Sequence, residues 1–228
     1  MGEFSGFADG DARFFKRLAK NQDRAWFHSH KAEYEDGWGA PMKALLGDVR
    51  RAIDSSYERC DLDEPKVFRI FRDVRFSKDK APYKTHVAGI IPVTRSAKVT
   101  ETPAALYFHV GVDVIVAAGL YRMDGSSLDR YRDAVADEKQ GKELEAILRK
   151  LARAGFDTDG MSDNTLKKVP RGFDPEHPRA DLLKRKGLGV SFPAPPKALY
   201  TSPMLVPWLA ERARKAAPLV EWLTVVTA

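Results

Sequence analysis

Cysteine is almost missing from this chain. Cys60 stands alone among 228 residues, which excludes a disulfide framework and any metal centre built from thiolates. Long apolar runs are missing too: none approaches the roughly 20 residues needed to span a bilayer, so no membrane association is expected. The opening stretch, Met-Gly-Glu-Phe-Ser-Gly-Phe-Ala-Asp-Gly-Asp, has neither the basic start nor the apolar run of a secretory leader. Gly6 holds the position where N-myristoylation needs Ser or Thr. The expected location is cytoplasmic, with Cys60 a thiol in a reducing compartment. No Walker or dinucleotide glycine pattern occurs. Nor does any carboxylate–histidine spacing of the metalloprotease or deaminase kind. His28 and His30, two apart on a helix, do not face one site. No metal site and no cofactor are expected. Ser162-Asp163-Asn164 matches a β-lactamase triplet without its partner motifs, and is read as chance.

What is present is an ordinary globular composition with a mild basic excess. Lys and Arg number 38 against 32 Asp and Glu, a balance that permits a polyanionic partner without demanding one. That excess is concentrated. Residues 66 to 86 hold seven Lys/Arg and two Asp, nearly the whole net charge of the chain. An arginine cannot shed its charge and is costly to bury unpaired. A strand carrying three of them must pair them internally or present them to something anionic.

Periodicity organises the chain as α+β: a single domain with a central, mostly antiparallel sheet packed against several helices. Residues 1–11 are expected to be a flexible N-terminus and 12–228 one globular domain. Helical patterns over 11–36 break at Asn21-Gln22-Asp23, where a fresh N-cap predicts a second helix. Gly37 and Gly39 are expected to end it, and Pro41 to open a third helix running to about Tyr57. A strand is expected from Val67 to Phe76, with Arg72 in an otherwise apolar row, and a return strand over 87–94 with Pro92 at an edge or bulge. Residues 95–103 read as a loop. Ala105–Val110 and Val114–Leu120 form a hairpin about Gly111-Val112-Asp113. Ser126 or Ser127 caps a helix to about Lys139; Gly141 separates it from another over 142–153, which Gly155 ends. A short helix at 180–185, a strand at 188–192 and one or two closing helices interrupted at Pro218 complete the pattern.

Four stretches resemble the domain of unknown function 2461 family. The run Phe68-Arg69-Ile70-Phe71-Arg72-Asp73-Val74-Arg75-Phe76-Ser77-Lys78-Asp79-Lys80-Ala81-Pro82-Tyr83-Lys84-Thr85 is similar to its signature. Asn21-Gln22-Asp23-Arg24-Ala25-Trp26-Phe27 resembles its early Asn-x-x-x-x-Trp-Phe segment, and Gly119-Leu120-Tyr121 its tripeptide after the central hairpin. Lys167-Lys168-Val169-Pro170-Arg171-Gly172-Phe173-Asp174, with His177-Pro178 and Leu182 to Leu188, resembles its basic C-terminal segment. Ala118 and Met123 depart from the pattern, where glycine and proline are common. The resemblance spans residues 12 to 210 and implies no activity, cofactor or substrate, so no catalytic role is carried over.

Three constellations follow from the residues themselves. Arg69, Arg72, Arg75, Lys78, Lys80, Tyr83 and Lys84 form a strand-to-turn unit suited to phosphate or carboxylate; ion pairs to Asp73 or other acids are its structural alternative. A second basic run holds Lys167, Lys168, Arg171, His177, Arg179, Lys184, Arg185 and Lys186, and would make one basic cleft with the first if folded over it. His86, His109 and Tyr121, with Tyr107, are the candidates for proton transfer. Three readings stay open. The first is a basic cleft for an anionic ligand, either nucleic acid or a phosphorylated metabolite. The second is an enzyme acting on a phosphorylated or carboxylated small molecule, with His86 or His109 as acid/base. The third is a protein-interaction module with structural arginines. Oligomeric state is not set by the sequence.

Overall fold

The computed structural model describes residues 3–95, 103–159 and 165–228. The chain is one α+β domain whose sheet is antiparallel throughout. Three short helices open it: α1 (Arg13–Lys20), α2 (Arg24–Ser29) and α3 (Lys31–Tyr34). The expected N-cap is present, since the Asp23 carboxylate accepts the Trp26 N–H at 2.9 Å. A π-helical turn, Glu35–Gly39, then runs directly into α4 (Ala40–Ile53). Gly37 and Gly39 therefore do not end a helix. Trp38 between them is buried, and its burial holds the backbone helical where glycine propensity alone would release it. Residues 1–11, expected to be flexible, include Phe4 and Phe7 in the core, and the Phe4 N–H donates to buried Asp48 at 2.8 Å.

Six strands follow the order β1/β2–β3–β4–β5–β6: β1 (Asp61–Leu62), β2 (Lys66–Val67), β3 (His86–Thr94), β4 (Ala104–Gly111), β5 (Val114–Leu120) and β6 (Leu188–Phe192). β1 and β2 both pair with β3, at its two halves. Pro92 faces the gap between them: the Asp63 N–H donates to its carbonyl. The side of Pro92 without an N–H therefore points at the interrupted edge, where proline is tolerated. The hairpin has the expected turn, with Val110 opposite Val114.

The long strand expected over 67–76 is not formed. Only Lys66–Val67 joins the sheet, and residues 70–84 fold back on themselves. Phe71 bridges Tyr83, the Arg72 N–H donates to the Pro82 carbonyl, and the Lys84 N–H to that of Ile70. Val67 shares the core face with Gly89, so continuing the ladder would turn Arg69, Asp73 and Arg75 toward the buried side. Leaving the sheet lets Arg72 reach Asp79 at 2.5 Å and Arg75 reach Asp73 at 2.7 Å. The loop expected at 95–103 lies mostly outside the described residues.

Helices α5 (Gly125–Ala136), α6 (Glu138–Arg153), α7 (Ala180–Leu183) and α8 (Leu205–Thr227) complete the domain. The serine cap expected for α5 is not formed: the helix starts at Gly125, φ +53°, after Asp124, with no side-chain cap bond, and Gly141 sits inside α6 instead of before it. Gly155, at φ +85°, ends α6 as expected. The tail is one helix straight through Pro218. Leu219, Val220, Trp222 and Leu223 are all buried beside it, and this apolar burial outweighs the roughly 3 kcal/mol that an interior proline costs.

Alternation assigns the two sheet faces. Val87, Ile91 and Val93 of β3, Leu106, Phe108 and Val110 of β4, Val116 and Ala118 of β5 and Val190 of β6 point into the core against α4 and α8. The opposite face carries Ile90, Ala105, Tyr107, Ile115, Ala117 and Ser191, all half-exposed or exposed. We call it the open face. No helix among the described residues is long and apolar enough to cross a membrane.

Candidate functional site

The site lies at one end of the open face, and cross-strand register builds it. His86 stands opposite Gly111, and Ala88 opposite His109. The two histidines are thus diagonal neighbours, each opposite a small residue. Their rings stack at a centroid distance of 4.0 Å with planes 3° apart. Gly111 is required here: a Cβ on it would fall deep inside contact distance of the Thr85 carbonyl and the His86 backbone. The hairpin turn then brings Asp113 over the pair, steadied by a Val112 N–H bond to the Thr85 carbonyl at 3.0 Å.

The resulting network is continuous. Tyr107 Oη lies 2.9 Å from His109 Nδ1, His109 Nε2 lies 3.3 Å from one Asp113 oxygen, and His86 Nδ1 lies 3.8 Å from the other. His109 is only 3% exposed. Its Nε2, although close to Asp113, has no hydrogen-bond partner of acceptable geometry. The indole N–H groups of Trp38 and Trp222 and the Tyr57 hydroxyl are likewise unmet among the described residues; His109 Nε2 differs from them in facing a carboxylate that is itself 62% exposed.

Burial governs the charge states. It lowers the His86 pKa to about 4, helped by His109 and Lys84 and opposed by Asp113. His109 is lowered for the same first reason, again against Asp113. Both shifts favour the neutral imidazoles, which spares the stacked rings mutual charge repulsion. Burial, Asp113 and Tyr121 push the Tyr107 hydroxyl up to about 12, so it stays protonated. Lys84 borders the network, its Nζ 5.6 Å over the Phe68 ring and 3.1 Å from the Arg69 carbonyl. Burial and Arg69 lower its pKa. Among the described residues, neither Lys84 nor Arg69 has an ion-pair partner.

The remaining expected site residues divide. Arg72 and Arg75 are paired within their own loop. Lys80 donates to the Val74 carbonyl at 3.0 Å, and Lys78 is exposed. Tyr83 is 3% exposed, with its ring 4.4 Å from that of Phe27 and its N–H donating to Gln22. It anchors the loop and offers no free ring face. Lys168 and Arg171 are exposed, but their segment is tied to the β6 side by Leu166 and Thr165. That is the opposite edge of the sheet from β2, so the two basic runs do not form one cleft. Within the second run, Arg185 pairs with Asp159 at 2.5 Å and Lys184 with Asp181 at 2.9 Å. Arg179 is buried against the end of α5. Tyr121 lies 77% exposed past the far end of β5.

Asp113 was not among the expected site residues, although it stands in the turn four residues after His109. No metal-ligand set was expected either. Local spacing contains none, yet the fold sets one donor atom each from His86, His109 and Asp113 within 4.8 Å of one another. The donors come from two strands and a turn, which no single motif spans.

A family model described as conserved hypothetical protein (DUF2461) matches residues 11–222. No curated protein and no solved structure matches the chain.

Proposed function

We propose that this chain, which belongs to the conserved hypothetical protein family DUF2461, binds a small phosphorylated or carboxylated molecule on the open face of its sheet and handles a proton there. The observation that carries this reading is the Tyr107–His109–Asp113–His86 network. It ends in a buried, unpartnered imidazole nitrogen on the sheet face left partly exposed. Perturbed titratable groups gathered with an unmet polar atom are the ordinary mark of a site for chemistry. Lys84 supports the anionic character of the ligand: a half-buried ammonium beside exposed Arg69, with no carboxylate between them, is relieved by an incoming negative charge. Tyr107 and the neutral imidazoles then offer hydrogen bonds and a proton path.

The test uses protein freed of metal on a chelating resin. Melting is followed with inorganic phosphate and with citrate, at ionic strength matched by chloride. A ligand at 100 times its Kd stabilises by about 2.7 kcal/mol, which in a chain of this size raises Tm by roughly 5 to 10 °C. Above the Kd the rise grows with the logarithm of ligand concentration in the wild type and is lost in Lys84→Ala. An equal rise in both proteins overturns the reading.

One observation favours a second reading. Phe76 is 94% exposed between Arg75, Lys78 and Lys80, a ring and charges placed as for stacking single-stranded nucleic acid. Such binding weakens linearly with the logarithm of salt concentration; a flat response, or unchanged affinity in Phe76→Ala, rejects it.

A further inference from the structure

We propose that His86 Nδ1, His109 Nε2 and a carboxylate oxygen of Asp113 form a site for one divalent first-row transition-metal ion. The proposal deepens the reading above, since the ion would occupy the same network. Distances come first. Donor atoms sharing an ion with bonds of about 2.0–2.2 Å lie roughly 3.0 to 3.5 Å apart. His109 Nε2 is 3.3 Å from one Asp113 oxygen and His86 Nδ1 3.8 Å from the other, and one donor from each residue lies within 4.8 Å of the rest, so a turn of the exposed carboxylate and of the His86 ring closes the set.

The second argument is the orphaned atom. His109 Nε2 is buried, faces the cluster and has no hydrogen-bond partner among the described residues. An ion there would complete its coordination with the lone pair that points toward the carboxylate. This tautomer needs Nδ1 to keep its proton, and Tyr107 Oη at 2.9 Å accepts it. A ligating histidine held by its other nitrogen in this way is the usual second-shell arrangement.

The donor set then selects the class of ion. Two imidazoles and one carboxylate suit zinc, cobalt, iron, nickel or copper, whereas magnesium and calcium prefer all-oxygen surroundings. With the Asp113 side chain 62% exposed and that of His86 22% exposed, the solvent side stays open. A coordination position remains there for water or for an anionic ligand that Lys84 also faces. The stacked rings add a signature. Their planes are 3° from parallel with centroids 4.0 Å apart, so one ion cannot lie in both. Binding must turn the less buried His86 ring out of the stack.

The experiment titrates metal-stripped full-length chain, in chloride buffer free of phosphate and carboxylates, with Co2+ and then Zn2+. Visible absorption of Co2+ reports coordination, calorimetry gives Zn2+ affinity, and histidine side-chain NMR follows the rings. One ion per chain is expected, with displacement of Co2+ by Zn2+, no response to Mg2+ and shifts confined to His86 and His109. Asp113→Asn and His86→Gln, both at partly exposed positions, should each weaken Zn2+ at least tenfold while melting as the wild type does. His28→Asn/His30→Asn should change nothing. Absence of a one-to-one complex overturns the proposal. So does a complex that survives both site variants, or one that His28→Asn/His30→Asn abolishes. Anion binding to metal-free protein is read separately, so either idea can fall while the other stands.

Discussion

Replacing Arg179 separates architecture from recognition in the second basic run. Its side chain is 5% exposed. Nε donates to the Val135 carbonyl at 2.7 Å, and Nη2 reaches the carbonyls of Ala136 and Asp137 at 3.3 and 3.4 Å. Glu138 and Glu145 lie 3.3 and 3.6 Å from the guanidinium. The cation therefore caps the negative end of α5 and takes carbonyls that the helix leaves without partners. Gly141 makes room for it, because a Cβ there would overlap Arg179 Nε. Arg179→Met leaves those acceptors buried and unmet. Losing one partner of a buried charged network costs about 3–5 kcal/mol, or roughly 6 to 20 °C in Tm. Arg179→Lys keeps the charge but loses the planar fork, and should recover only part of that loss. Urea unfolding at pH 7 with a constant m-value is the assay. A methionine variant within 1 kcal/mol of wild type that instead lost ligand binding would refute the reasoning and return Arg179 to recognition.

Two further outcomes are expected. The folded pKa of His86, near 4, lies below the ordinary 6.5, so the native state binds fewer protons than the unfolded chain between those values. This contribution is complete above pH 6.5 and is lost as pH falls toward 4. It amounts to about 2 kcal/mol at pH 5. In metal-free buffer, the drop in unfolding free energy from pH 7 to pH 5 should therefore be about 2 kcal/mol smaller in His86→Gln; an equal drop in the two proteins would refute it. Gly111→Ala should destabilise by about 1–3 kcal/mol, because the added methyl meets backbone at Thr85 and His86 that cannot turn aside. The His86 ring resonances should shift with it, and unchanged stability and shifts would count against the packing described.

How much of this was legible in the sequence depends on how local each signal is. The hairpin, the Asp23 cap, the Gly155 stop and the antiparallel α+β class rest on turn chemistry and periodicity within a few residues, and each is present in the fold. The strand over 67–76 failed for a traceable reason. Its alternation was real, but the register that sets Val67 on the core face opposite Gly89 would send Arg69, Asp73 and Arg75 there too, and the cost of burying those charges outweighs a longer ladder. Pro218 misled in the other direction, since the apolar stripe around it belongs to the whole core and not to its own turn.

The site itself was half legible, and register explains which half. His86 and His109 stood out as titratable residues at a strand end and mid-strand, but their meeting depends on β3 pairing with β4 so that Gly111 and Ala88 fall opposite them. A shift of one residue would send His109 to the core face and His86 away from it. Asp113 joins only because the turn is three residues long. Such a cluster has no fixed spacing along the chain, and a search for metal or catalytic motifs passes over it. The sequence did carry an indirect trace. Gly111 stands opposite His86 because the Thr85 carbonyl and the His86 backbone leave no room for a Cβ; a strand glycine marks such a close approach, and here it lies beside the histidines.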